Sequence, residues 1–134
     1  MSNPNASTFP TRRYALASLS LPWAVVPAAP FVVMLPAFDT RERELGLSLA
    51  DDLIDRGCAE FCCVGPEAEL LHDSLDALVE ARGALSVVTT WHVDFEDACE
   101  YFLFGASAGR ASRFALIDGH PDLLVVLERQ AAAE

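Results

Sequence analysis

Imidazole and carboxylate side chains recur after apolar stretches of this 134-residue sequence, and they are its most reactive groups. His92 and Asp94 follow one such stretch, and Asp118 and His120 follow a later one. Nitrogen and oxygen groups of this kind can hold a divalent cation or act as a general acid–base pair. They are therefore the first candidates for a site.

The elements that position these side chains decide whether they meet. If the apolar stretches are parallel strands, their polar ends face an open crevice at one edge of the sheet. The predicted crevice comprises Asp39, Glu67, Thr90, Trp91, His92, Asp94, Asp118 and His120. An alternative needs no ligand: Asp39 and Asp94 cap helices, and Trp91 covers the end of the sheet.

Several chemistries are excluded by residue type and spacing. All nine basic residues are Arg, so a phosphate-loop lysine, a Schiff-base lysine and the lysine of a receiver-type phosphoacceptor are absent. The spacing of His72, His92 and His120 matches no metal-ligand motif, and no dinucleotide-binding glycine motif follows a strand. The sequence therefore predicts neither a metal nor a cofactor.

The segment Gly105–Gly109 satisfies the Gly-x-Ser-x-Gly pattern of the hydrolase nucleophile elbow. Asp118 and His120 even follow Ser107 in the expected chain order. That elbow requires a strand before the serine and a helix after it, whereas here a helical pattern precedes and a strand pattern follows. We therefore predict a loop over Gly105–Ser112 instead of a nucleophile elbow. The catalytic residues, if there are any, are unknown.

Composition indicates the class of partner. Apolar residues make up 52% of the chain, and no apolar run has the length of a membrane span. The net charge of −11 excludes nucleic acid and favours a basic protein partner, although solubility alone also explains an acidic surface. The four cysteines lack zinc or redox spacing and predict buried thiols in the cytoplasm.

The first 28 residues are predicted to stand apart from a single α/β domain over residues 29–134. Arg12, Arg13 and the apolar stretch after them resemble a twin-arginine export signal, but Pro22 and Pro27 interrupt that stretch. We therefore expect residues 1–10 to form a loose tail. The segment Tyr14–Val26 is expected to pack as an irregular arm or an edge strand.

Strand and helix patterns alternate from Phe31 onward. Helices with one apolar face begin near Asp39, Pro66 and Asp94, and glycines end the first two of them. The segment from Pro121 fits either a strand or a closing helix. Strands are predicted at Phe31–Leu35, Glu60–Val64, Leu85–Thr90 and Arg113–Ile117. The alternation predicts a three-layer α/β fold, Rossmann- or flavodoxin-like, with helices on both faces of a mainly parallel four- to five-stranded sheet.

One set of motifs resembles a small bacterial family catalogued only as a domain of unknown function. The most specific element is Thr89-Thr90-Trp91-His92 followed by acidic residues, and the similarity covers roughly residues 31–118. This chain lacks the tryptophan that members often show before the glycine matching Gly65. The resemblance also marks Gly57, Cys58, Gly65, Asp73 and Asp76, and it implies a single cytoplasmic α/β domain without a known activity.

Two functions from different classes are compatible with these observations. We favour a non-enzymatic protein-binding or regulatory module, comparable to an immunity protein, because every catalytic motif fails and the chain is small and acidic. The alternative is a small enzyme or a metal- or ligand-binding domain that uses the crevice around His92. Unpaired sheet edges also allow a homodimer.

Overall fold

The most buried strand of the sheet is Phe31–Pro36, in which every residue is buried. A neighbouring strand pairs with it on each side, and helices cover both of its faces. The computed structural model describes residues 13–133, so the predicted tail over residues 1–10 and Arg12 of the arginine pair lie outside the described residues.

Strands and helices alternate along the described chain as predicted. The strands are β1 Ala15–Leu16, β2 Phe31–Pro36, β3 Cys58–Val64, β4 Val88–His92 and β5 Ser112–Ala115. The helices are α1 Thr40–Asp55, α2 Ala68–Arg82, α3 Phe95–Glu100 and α4 Pro121–Ala133. Between α3 and β5 the chain forms a π-helix, Tyr101–Gly105, and a 3₁₀ turn, Ala106–Gly109.

Within residues 13–133, the five strands form one sheet in the order β1-β5-β2-β3-β4, and every pair is parallel. The chain first extends the sheet from β2 through β3 to β4, and then returns to place β5 on the other side of β2. The strand order therefore reverses between β2 and β5. Such a topological switch point is where open α/β sheets usually bind ligands.

The two faces of the sheet carry separate hydrophobic clusters. On one face, Leu53 of α1 and Leu75 of α2 pack with Phe61 of β3. On the other face, Phe102 and Leu127 pack with Met34 of β2. These clusters confirm the predicted three-layer arrangement. No helix of the described residues is long and apolar enough to cross a membrane.

The structure differs from the predicted elements at several boundaries. The strand predicted at Leu85–Thr90 lies instead at Val88–His92 (β4), because its pairing with β3 begins where Val88 meets Glu60 and continues to His92. Helix α2 begins at Ala68, after the turn that contains Pro66. The segment from Pro121 is a helix. In the N-terminal arm, Ala15–Leu16 forms a short edge strand beside β5.

Gly65 is required by the tight connection between β3 and α2. Its φ of +124° lies in a region that residues with a Cβ rarely adopt. A Cβ added at Gly65 would lie 2.7 Å from the carbonyl oxygen of Ala37, which follows β2. Gly65 therefore allows the two connections that leave β2 and β3 to approach each other closely.

We expect Gly65→Ala to destabilise the fold by about 3 kcal/mol or more, because it combines backbone strain with a clash against the main chain. Gly83→Ala is the matched control, since Gly83 also has a positive φ, +70°, but an added Cβ meets nothing within 4 Å. The control should cost only about 1 kcal/mol. Urea unfolding followed by circular dichroism measures both, and equal losses would contradict the proposed role of Gly65.

Candidate functional sites

The topological switch point opens into a cavity of about 340 Å³ that we call the switch-point crevice. Its walls come from the segments that follow β1, β2 and β5, including the first turns of α1. Helix α1 packs on one face of the sheet and α4 on the other, so the two connections diverge and leave this space open. The lining residues are Ser18, Leu19, Asp39, Arg41, Glu42, Leu45, Leu116, Gly119 and His120.

A hydrogen-bonded pair of side chains, Glu42 and His120, lies in this crevice. The Nε2 atom of His120 is 2.5 Å from Oε2 of Glu42, whose other oxygen, Oε1, accepts the backbone N–H of Phe38 at 2.8 Å. The imidazole also stacks on the ring of Phe38, with centroids 4.1 Å apart and planes inclined by 20°. The position and tilt of the imidazole are therefore fixed from two directions.

Negative charge already occupies the start of α1. Asp39 is the N-cap of this helix, and its Oδ1 accepts the N–H of Glu42 at 2.8 Å. With the carboxylate of Glu42 beside it, Asp39 fills the position where an anion binds at other helix starts. The switch-point crevice is consequently poorly suited to a phosphate group.

His92 lies in a second, separate cavity of about 460 Å³, which we call the His92 cavity. The strands that precede His92 and His120, β4 and β5, are separated by β2 and β3. Three strand spacings correspond to roughly 14 Å. Of the eight residues that we expected in one crevice, the structure therefore places Asp39 and His120 in the switch-point crevice, His92 in the second cavity, and the other five in neither. The His92 cavity is lined by His92, Asp97, Glu100, Tyr101, Phe104 and Gly105.

The other predicted crevice residues have individual partners. Glu67 accepts the Nε–H of Arg43 at 2.8 Å. Asp94 caps α3 by accepting the N–H of Asp97 at 2.9 Å. The Thr90 hydroxyl is directed at the carbonyl oxygen of Phe61, 3.5 Å away. Trp91 is partly exposed on β4, and Asp118 is exposed after β5.

The residues marked by the family resemblance lie mostly in connections and packing. An added Cβ at Gly57 would lie 2.3 Å from the Cβ of Ala29, so this turn also approaches a neighbouring segment closely. Cys58 is buried, and its thiol donates to the carbonyl oxygen of Glu60 at 3.3 Å. Asp73 and Asp76 lie 3.0 and 3.5 Å from the ring nitrogens of His72, on the surface of α2.

Glu60, a buried carboxylate in β3, was not among the site residues predicted from the sequence. Its side chain is only 2% exposed, and it accepts hydrogen bonds from the hydroxyl of Tyr101 at 2.5 Å and the N–H of Ser107 at 3.1 Å. Within the described part of the chain, no ion pair neutralises it. A buried charge needs such donors. Glu60 is the one charged residue in an otherwise apolar strand, and this pattern is the sequence signal that could have identified it.

Unusual backbone conformations bring these donors to Glu60. Tyr101 begins the π-helix, and Ser107 and Ala108 have φ values of 51° and 54° although neither is glycine. Both features are frequently found at functional sites. Next to them, His92 has a buried Nδ1 without a hydrogen-bond partner among the described residues, and its ring centroid is 5.4 Å from that of Tyr101.

The four cysteines are free, buried and protected from ionisation. Burial raises the pKa of Cys58 to about 12 and that of Cys99 to about 12, and it also raises the pKa of Cys62 and Cys63. Because the thiolate is the reactive form, these residues are not nucleophiles at neutral pH. The described residues also contain no group of three or more His, Cys, Asp or Glu that could hold a metal ion.

We expect the protein to lose stability steeply as pH rises above about 9. The thiols ionise near 9.0 when exposed but only near or above 12 when buried, so alkali favours the unfolded state. Burial and the Glu60 carboxylate raise the pKa of Tyr101 in the same direction. Each buried thiol should contribute a loss of up to about 1.4 kcal/mol per pH unit.

Urea unfolding between pH 7 and pH 11 measures this effect, and the absence of lysine removes the usual competing titration. Cys99→Ala should reduce the slope of stability against pH above pH 9, while it leaves the slope below pH 8 unchanged. A stability that stays constant up to pH 11 would contradict the buried, neutral thiols.

Comparison with known proteins identifies the family of this chain. Residues 14–122 match the model of a family described as a domain of unknown function, DUF7684. No curated protein and no solved structure matches the chain. The match confirms the prediction that the chain belongs to a family without a known function. The chain belongs to the DUF7684 family of domains of unknown function.

Proposed function

We propose that this domain is a non-enzymatic, cytoplasmic protein-binding module, and that its docking surface is the exposed edge of β4 together with the adjoining His92 cavity. The term β4 edge refers to the strand Val88–His92 and to Val93 directly after it. The partner that fits this surface is an extended, basic segment of another protein. The supporting observation is a strand edge with exposed apolar side chains, bordered by carboxylates that pair with no arginine in the described part of the chain.

The β4 edge offers both backbone and side-chain contacts. Among the described strands, β4 pairs only with β3, so its outward N–H and C=O groups are available to a further strand. Val88, Trp91 and Val93 are 48%, 38% and 55% exposed. The strand contains no proline, lysine or bulge, which are the features that commonly prevent pairing at an edge. Addition of a partner strand is an established mode of peptide recognition.

The charge of this surface favours a basic partner. No arginine or lysine lies between Arg82 and Arg110, a segment that contains β4 and α3. In residues 13–133, arginines pair with Asp51, Asp52, Asp55, Glu67 and Glu96. None pairs with Asp94, Asp97 or Glu100, which border the β4 edge and the His92 cavity. This uncompensated charge attracts a basic segment.

The rings beside these carboxylates also suit a cationic side chain. Tyr101 and Phe104 line the His92 cavity together with Asp97 and Glu100. The guanidinium of Arg13 already lies 5.7 Å from the centroid of the Phe104 ring. This cation–π contact within the chain indicates that an arginine of a partner can use the same type of surface.

A second copy of this chain is a less suitable occupant of the β4 edge. Symmetric pairing of two β4 strands would bring the same carboxylates of both copies together, and the net charge of each copy is −11. Like charges in that arrangement repel one another.

Location in the cytoplasm is supported by the four free, buried cysteines, which are typical of proteins from reducing compartments.

We expect a synthetic peptide of about ten alternating arginine and valine residues to bind at low salt, and more weakly at about 0.3 M NaCl. Val93→Lys should reduce the affinity about tenfold or more, because it places a solvated positive charge, which repels the basic peptide, in the strand-pairing surface. Val125→Lys on α4 is the matched control: Val125 is 59% exposed against 55% for Val93, and the charge change is the same. Isothermal titration calorimetry measures the affinities.

Three outcomes would overturn this proposal. The first is that the peptide fails to bind at low salt, and the second is that both variants lose the same affinity. The third is that light scattering finds a dimer which Val93→Lys dissociates, because the β4 edge would then belong to a second copy.

A second candidate function is small-ligand binding at the switch-point crevice, and the Glu42–His120 pair favours it. Glu42 holds the Nε2 atom of the imidazole, whereas the carboxylate of a catalytic triad holds the other ring nitrogen, Nδ1. The one hydroxyl in the crevice lining is that of Ser18, which accepts the N–H of Ser20 and has no hydrogen bond to His120 among the described residues, so it is not activated as a nucleophile. The arrangement thus supports binding more strongly than covalent catalysis. It also moves the predicted ligand site from His92 to His120.

A further inference from the structure

We propose that the switch-point crevice binds a small zwitterion, namely an α-amino acid with an apolar side chain of about the size of leucine. This inference rests on the second candidate function, ligand binding at the crevice, and names the class of ligand.

Arg41 supplies a cation for the ligand carboxylate. Its side chain lines the switch-point crevice and is exposed, and it forms no ion pair within the described residues. By contrast, the neighbouring Arg43 is bound to Glu67 at 2.8 Å. A free guanidinium at the rim of a cavity can receive a carboxylate through two parallel hydrogen bonds.

Asp39 is the carboxylate that remains available for the ligand ammonium group. Both oxygens of Glu42 are already engaged, one by the Phe38 N–H and the other by His120. Asp39 uses only Oδ1 to cap α1, so Oδ2 has no hydrogen bond from the described residues. A ligand with both charges can therefore neutralise Arg41 and Asp39 together.

Ligands of other charge types fit this lining less well. A purely anionic ligand would bind Arg41 but meet the negative charges of Asp39 and Glu42. A purely cationic ligand would bind Asp39 but meet the positive charge of Arg41. A zwitterion avoids both costs, since each of its charged groups has an opposite charge in the lining.

The remaining wall of the crevice selects an apolar side chain. Leu19, Leu45 and Leu116 line it, from the segments after β1, within α1 and after β5. The volume of about 340 Å³ lies at the lower end of the range for small-molecule sites, which favours a compact ligand. Packed against Phe38, His120 fixes the boundary of this space and has a further ring nitrogen that can accept a hydrogen bond.

The test is a titration of the full chain, followed by the backbone amide signals in nuclear magnetic resonance spectra. The probes are L-leucine, 4-methylpentanoate, which has the carboxylate alone, and 3-methylbutylamine, which has the ammonium alone. L-leucine should shift the amide signals of Glu42, Gly119 and His120. Each singly charged probe should bind about tenfold or more weakly, because one charged group of the crevice then has no partner.

Variants assign the binding to the two charged side chains. Arg41→Gln and Asp39→Asn should each weaken the binding of L-leucine about tenfold or more. Asparagine caps a helix as well as aspartate does, so Asp39→Asn keeps α1 intact. Arg110→Gln is the matched control, since Arg110 lies before the amino end of β5, whereas the crevice lies at the carboxyl ends of the strands. This variant should bind L-leucine like the unchanged chain.

The outcomes separate this proposal from the ones on which it depends. If a singly charged probe shifts the same amides as strongly as L-leucine, or Arg41→Gln binds L-leucine normally, the crevice remains a ligand site and the zwitterion is wrong. If none of the probes shifts these amides at about 20 mM, both the zwitterion and the second candidate function lose their support. Protein binding at the β4 edge is tested independently by its own variants.

Discussion

The pairing of β2 with β5 on one side and with β3 on the other is the constraint on which the rest of the structure depends. It buries β2 completely and makes the chain return across the sheet after β4. The connections that leave β2 and β5 then diverge to opposite faces and leave the switch-point crevice between them. The same pairing brings Glu42 and His120 into contact, although 78 residues separate them along the chain.

The sheet order also separates the acidic groups into two regions with different chemistry. In the switch-point crevice, carboxylates lie beside Arg41 and His120, and those of Glu42 and Asp39 accept local N–H groups. At the β4 edge, the carboxylates pair with no arginine of residues 13–133, and they border exposed apolar side chains and aromatic rings. A crevice that carries both signs of charge beside an apolar wall suits a small molecule, whereas an acidic strand edge suits a basic protein segment. One small domain can thus support both proposals without conflict between them.

Local chemistry explains why much of the fold could be predicted from the sequence. The cap at Asp39 and the glycines that end α1 and α2 depend on neighbours a few residues away, and the structure has them where they were expected. Strand order, in contrast, depends on contacts between distant segments. The periodicity of the sequence therefore predicted that His92 and His120 lie at the carboxyl ends of their strands. It could not predict that β2 and β3 lie between those two strands. The partners of Glu60 could not be predicted for the same reason. Tyr101 and Ser107 reach it only because the chain forms a π-helix and two residues adopt the left-handed backbone conformation.

The most direct test of this account is a measurement of proton–proton contacts of the histidine rings by nuclear Overhauser spectroscopy. The His120 ring should give strong cross-peaks to the ring of Phe38, whose centroid is 4.1 Å away, and these should vanish in Phe38→Leu. The His92 ring should give cross-peaks to Tyr101 and none to His120. A direct contact between His92 and His120, or the absence of contact between His120 and Phe38, would contradict the sheet order and both sites derived from it.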